Sequence, residues 1–98
     1  MSIAMKFRLG RLLATPAALE AIQRAGQDPL FFLERHARGD WGEADAEDRK
    51  LNDESGRDGS RILSAYRTLQ GEKLWVLTEA ADDFGNRAAT TLLLPDEY

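Results

Sequence analysis

The last third of the chain constrains its architecture more than any other stretch. Between Ser60 and Leu94 three β-rich runs alternate with two turn signals. The run from Ser60 to Thr68 sets Ile62, Ser64 and Tyr66 against Leu63 and Ala65, and the run from Lys73 to Ala80 sets Leu74 and Val76 against Trp75 and Leu77. Ala88 to Leu94 follows, closed by Pro95. Side chains of a strand alternate between two faces, so each run presents one face to a core. Gln70–Gly71 and the loop from Ala81 to Asn86, with its Asp82, Asp83, Gly85 and Asn86, supply the turn formers between them. These features predict a three-stranded antiparallel meander.

Two helices are signalled upstream. Thr15 followed by Pro16 reads as a cap and first helical residue, because proline's missing N–H would be unpaired there. Ala17 to Ala25 follows, with Ala18, Leu19 and Ile22 on one stripe, and Gly26 marks the stop. Asp28 and Pro29 repeat the start; Leu30, Phe31, Leu33 and Ala37 form the second stripe, and Gly39 ends it. The short Gly26–Gln27 link favours an antiparallel helix pair. Met5 to Ala14 alternates with Phe7, Leu9 and Leu13 on one side, although Arg11 and Gly10 weaken it as a strand. The expected fold is α+β, one domain over residues 1–98. An αα-hairpin would pack on a three- to four-stranded antiparallel sheet with a C-terminal β-meander, the fourth strand being the N-terminal one.

Length and composition narrow the class. A chain of 98 residues buries enough surface for one modest core. It contains no cysteine, which excludes disulfides, thiolate zinc sites and cysteine nucleophiles and fits a reducing compartment. Lys6, Arg8 and Arg11 interrupt any apolar signal core at the N-terminus, and no run approaches the ~20 apolar residues of a membrane span. The expectation is a cytoplasmic protein. The net charge is −4: residues 1–39 carry six basic against three acidic side chains, and residues 40–98 seven against fourteen. That sign argues against direct nucleic-acid binding, which needs a basic surface.

Residues 40–60 concentrate the acids: Asp40, Glu43, Asp45, Glu47, Asp48, Asp53, Glu54 and Asp58 face only Arg49, Lys50 and Arg57. Asp45 is placed to cap a short helix from Ala46 to about Glu54, which Gly56 and Gly59 then break, and with Leu51 as its one aliphatic anchor it would be loosely held. Acids in a first helical turn have an ordinary electrostatic role. The same run could also imitate nucleic-acid phosphates toward a basic partner protein. It lacks the ligand order of a calcium-binding loop. Trp41, between Gly39 and Gly42, is either a plug over the core or an exposed anchor for a partner.

His36 is the only histidine. It reads either as a general acid/base oriented by Asp40 or Glu43, or as a cation favourably placed near a helix C-terminus beside Arg35 and Arg38. Tyr66, Arg67, Lys73, Thr78, Glu79, Arg87, Thr90 and Thr91 lie on strands or strand ends, where they form either the solvent face of the sheet or an acid/base set of the ribonuclease kind. No phosphate loop, nucleophile elbow, HExxH or dinucleotide fingerprint is present, so no cofactor or metal is expected.

Five segments carry a family likeness: Thr15-Pro16-Ala17-Ala18-Leu19-Glu20, Gly39-Asp40-Trp41-Gly42-Glu43, Ser64-Ala65-Tyr66-Arg67, Leu74-Trp75-Val76-Leu77-Thr78-Glu79 and Thr90-Thr91-Leu92-Leu93-Leu94-Pro95. With them the chain resembles, over nearly its whole length, a family of small uncharacterised proteins of bacterial plasmids and integrative elements. Members are often labelled "plasmid-related" or, loosely, type I restriction modification subunits. The second label does not fit, since a methyltransferase needs a doubly wound sheet with a glycine-rich cofactor loop. The resemblance implies no catalytic residue.

The expected function is that of a small non-enzymatic accessory protein that binds another protein, an inhibitor of a host defence or restriction system carried by a mobile element. Asp40, Trp41, Glu43, Asp45, Glu47 and Asp48 would form its contact region. The alternative is a ribonuclease-like toxin or nucleotide-acting enzyme using His36, Glu79, Arg87 or Tyr66. A third option is a subunit that forms a homodimer through a sheet edge.

Overall fold

A computed structural model describes residues 5–98 of the chain. Strand β1 (Arg11–Ala14) leads into helices α1 (Pro16–Arg24), α2 (Pro29–Ala37) and α3 (Ala46–Asp58). Strands β2 (Ile62–Arg67), β3 (Lys73–Thr78) and β4 (Ala89–Leu93) follow, then a 3-10 turn at Pro95–Glu97. The strands form one sheet in the order β1-β4-β3-β2. This is the expected α+β fold, with one correction: the sheet is mixed. The meander is antiparallel, but β1 runs parallel to β4, with Leu12 beside Thr90 and Ala14 beside Leu92. A hairpin imposes opposite directions on the strands it joins. β1 is joined to the meander only through three helices, so no turn dictates its direction.

β1 is also shorter than the alternation from Met5 suggests. Gly10 has a left-handed φ of 67°, and a Cβ there would overlap the backbone of Arg87 and Ala88. The chain enters the sheet only past this close approach, so Phe7 and Leu9 are not strand residues.

The helix starts follow the capping logic. Thr15 accepts from the Ala18 N–H and Asp28 from the Leu30 N–H, each ahead of a proline. Each helix makes its main contact with the sheet, α1 over β4 and α2 over β3. The buried stripes are rotated from those expected. Ala18, Ala21 and Ile22 are buried on α1 while Leu19 is exposed; Phe32, Leu33, His36 and Ala37 are buried on α2 while Leu30 and Phe31 are exposed. These side chains meet Tyr66, Leu74, Val76 and Leu92 to make the principal core. A smaller cluster joins Trp41, Ala44 and Ile62, with Phe7 against it.

α3 departs most from expectation. Asp45 caps it as predicted, accepting from the Asp48 N–H, but the helix passes through Gly56 and ends at Asp58, with Gly59 as its cap. Its anchor is polar rather than aliphatic, and Leu51 is exposed. The Asn52 amide donates to the Leu63 carbonyl (2.7 Å) and accepts from the Leu63 N–H (3.0 Å), closing that residue's edge. Ser55 donates to the Leu51 and Arg61 carbonyls, and Arg87 donates to the Ser55 carbonyl (3.1 Å). α3 therefore lies along the β2 edge and pairs with its backbone through side chains.

Removing those side chains leaves buried backbone groups unpaired, at about 1–3 kcal/mol each. Asn52→Leu is expected to cost about 2–5 kcal/mol although it adds apolar volume, and urea unfolding at neutral pH measures it.

Candidate functional site

The candidate residues separate into three groups. His36 is fully buried under α2, and both ring nitrogens are engaged. Nδ1 lies 2.5 Å from Ser64 Oγ and Nε2 2.8 Å from Thr78 Oγ1. Thr78 Oγ1 is 2.7 Å from Thr90 Oγ1, which in turn donates to the Leu9 carbonyl at 2.7 Å. A carbonyl only accepts, and each hydroxyl carries one proton, so the direction is set from Leu9 back to His36 Nε2. Thr78 donates to Thr90, and His36 Nε2–H donates to Thr78. The ring is thus protonated on Nε2, and since burial disfavours its cation, Nδ1 accepts from Ser64.

Neither expected role of His36 matches this placement. Asp40, the expected orienter, is paired with Arg35 at 2.7 Å, and Glu43 with Arg67 at 3.0 Å. The cationic reading fails as well. Burial, reinforced by the nearby Arg87 charge, lowers the imidazole from its ordinary 6.5 to about 3. Phe7 and Trp41 pack edge-on against the ring, with centroids 5.2 and 6.0 Å away. Tyr66 is likewise withdrawn: its hydroxyl donates to the Asp40 carbonyl at 2.6 Å, and burial pushes its phenol up. Thr78 and Thr90, expected on the solvent face or in an acid/base set, are core residues of this chain.

Arg87 is a clamp. Its guanidinium donates to the Ser60, Glu79 and Ser55 carbonyls, tying the end of α3 to both strands of the β3–β4 connection. It borders a cleft of about 520 Å³ between Lys6–Arg8, the end of α3 and the Ala81–Gly85 loop. His36, Tyr66 and Glu79 do not line that cleft, so the set proposed for a ribonuclease is not brought together there. Among the described residues no cluster of three or more histidine and carboxylate side chains is gathered for a metal ion.

The segment from Asp40 to Asp48 forms the second group. Trp41 is the plug, 6% exposed, with its indole N–H donating to Asp53 at 2.9 Å. Its ring is therefore largely enclosed, reaching only the wall of a cleft shared with Lys6, Phe7 and Asn52. Gly42 follows in a left-handed conformation, and a Cβ there would strike the Ala65 carbonyl and the Tyr66 ring. That close approach lets the Trp41 carbonyl accept from the Ala65 N–H and the Glu43 N–H donate to the Ala65 carbonyl. This segment, with Asn52, closes the β2 edge. The acids are mostly committed: Asp40 to Arg35, Glu43 to Arg67, Asp48 to Arg61 at 3.7 Å, and Asp45 to the helix cap. Glu47 has no such partner among the described residues.

The third group, Thr91 apart, was not singled out from sequence. Helices α1 and α2 pack on one face of the sheet. By strand alternation the opposite face carries Leu13, Leu63, Ala65, Trp75, Leu77, Thr91 and Leu93. Ala65, Trp75, Leu77 and Thr91 are half-buried there, and Leu13 is 42% exposed. The C-terminal turn shelters part of this face, with the Tyr98 ring edge-on to Trp75 at 5.6 Å. Two shallow depressions flank Trp75: one includes Glu43, Arg67 and Lys73, the other Glu43, Asp45 and Asp48. The acidic segment thus meets an apolar surface. The signal was present in the sequence, since Trp75 and Leu77 alternate out of phase with Leu74 and Val76 in a strand apolar on both sides.

No family model matches the chain, and no curated protein or solved structure matches it significantly. Among the described residues no helix is long and apolar enough to cross a membrane.

Two outcomes follow. The unfolded chain takes up a proton at His36 below pH 6.5 that the folded chain refuses until about pH 3. Stability from this residue is complete above pH 6.5 and is lost as pH falls toward 3. Urea unfolding should lose about 2 kcal/mol between about pH 7 and pH 5, and His36→Gln should flatten that slope. The two tryptophans should also differ: acrylamide is expected to quench Trp41→Phe, which keeps Trp75, much more than Trp75→Phe, which keeps Trp41.

Proposed function

We propose that the chain is a non-enzymatic accessory protein whose uncovered sheet face docks onto another protein. The observation that carries this reading is the half-exposed Trp75 amid Leu77, Ala65, Thr91 and the exposed Leu13, on the face away from α1 and α2. An apolar centre with an aromatic anchor and a polar rim is the arrangement from which protein interfaces draw their affinity. Glu43, Asp45 and Asp48 stand at the rim with Arg67 and Lys73.

The acidic residues take a secondary part in this reading. Most of them already have basic partners or cap a helix, so a basic partner protein gains less from them than a bare acidic patch would offer. The resemblance to proteins of plasmids and integrative elements supports a host defence or restriction component as the partner. What supports binding over catalysis is that His36 and Tyr66, the side chains best suited to acid/base work, are engaged in the core.

The test compares three proteins as bait for a partner captured from the natural host. Trp75→Glu should abolish capture, while reversing Asp45, Glu47 and Asp48 to lysine should weaken it only several-fold, about 1 kcal/mol. A partner retained by Trp75→Glu and lost on charge reversal would return the contact to the acidic segment. Growth arrest on expression, relieved by substituting Glu79 or Arg87 in a variant that still folds, would favour the enzymatic alternative.

A further inference from the structure

The two edges of the sheet are built differently. At β2 every outward backbone group from Leu63 to Ala65 is occupied: Leu63 by Asn52, and Ala65 by Trp41 and Glu43. At β1 the Arg11 and Thr15 N–H groups bond to the Ala88 and Leu92 carbonyls of the β4 side, both at 3.0 Å. In a parallel ladder alternate residues face the neighbour, so the Leu12 N–H and C=O and the Ala14 N–H point outward. Among the described residues nothing pairs with them. Leu12, on this strand, is 51% exposed.

We propose that a second copy of this chain adds to the sheet at β1, antiparallel, about a two-fold axis perpendicular to the sheet. Charge selects the occupant and its direction. The entry to β1 is basic, with Arg8 and Arg11 in no ion pair among the described residues. The exit is acidic, because Thr15 Oγ1 donates to Glu97 at 2.7 Å and Asp96 is its exposed neighbour. Antiparallel pairing with an identical strand brings each basic end to an acidic end, twice over. Parallel pairing would set like against like.

Centring the pair on Leu12 lets the two Leu12 residues exchange N–H and C=O groups. It sets Arg11 opposite the partner's Leu13, and Gly10 opposite the partner's Ala14. Such an axis keeps α1 and α2 of both copies on one side and joins the two uncovered faces on the other. A four-residue strand buries less than the ~1,000 Å² of a lasting interface, so the dimer is reversible and concentration-dependent. This inference rests on the edge, and it stands or falls separately from the docking face around Trp75.

Sedimentation velocity on the intact chain, from about 1 µM to about 1 mM, tests it. The wild type should shift from monomer to dimer with concentration. Leu12→Pro removes a donor that the monomer's own ladder does not use, and Leu12→Lys places a charge on the edge. Each should raise the dissociation constant at least about tenfold while circular dichroism stays native. Arg11→Glu should weaken the dimer, and adding Asp96→Lys should restore it. A chain monomeric throughout, or a dimer unchanged by both residue 12 variants, overturns the proposal. So does a dimer lost in Trp75→Glu and untouched at residue 12.

Discussion

A core that contains a histidine, a serine and two threonines holds together only if each of their polar atoms finds a partner. Here they satisfy one another in a single directed chain, from Ser64 on β2 through His36 on α2 to Thr78 on β3 and Thr90 on β4, ending on the Leu9 carbonyl. No buried side-chain nitrogen or oxygen among the described residues lacks a partner. The chain spans three strands, a helix and the N-terminal segment, so it fixes the height and register of α2 over the sheet. Aliphatic packing tolerates small slips, whereas a slipped hydrogen-bond chain leaves desolvated groups unpaired.

The same reliance on polar anchoring recurs around α3. An acidic helix with one leucine has little to bury, and it stays in place because Asn52, Ser55 and Arg87 bond to backbone groups that would otherwise face a gap. Asn52 acts as a side-chain substitute for a fifth strand. The Trp41–Glu43 segment continues that substitution along β2, and this is why glycine stands at position 42: only a residue without a Cβ lets the backbone come so near to Ala65. Trp41 then falls inward against Phe7 and the imidazole, completing the smaller cluster.

The elements of this fold are largely legible in the sequence because they depend on local chemistry. Thr15-Pro16, Asp28-Pro29 and Asp45 mark helix starts through hydrogen bonds made within three residues, and the turns of the meander act at similar range. What is not legible depends on partners distant in the chain. The parallel setting of β1 beside β4 links Leu12 to Thr90, and nothing near Leu12 announces it. The rotation of α2 follows from His36 meeting Ser64 and Thr78, so a side chain that reads as a polar helix end becomes the centre of the core. Asn52 and Ser55, uncharged and three residues apart in an acidic run, were the available sign of a buried helix face. The uncovered sheet face was open to the same reading, since Trp75 and Leu77 occupy the strand positions that a one-sided sheet would give to polar residues.

The asymmetry of the two edges sets a limit on self-association. Sheets with both margins bare can recruit copies at either side and grow into fibres. In this chain one margin is occupied from Leu63 to Ala65 by its own asparagine and main chain, so two copies joined at β1 would present outward a margin blocked over that stretch. Strand addition would be obstructed there, which lowers the hazard of polymerising that an exposed strand carries.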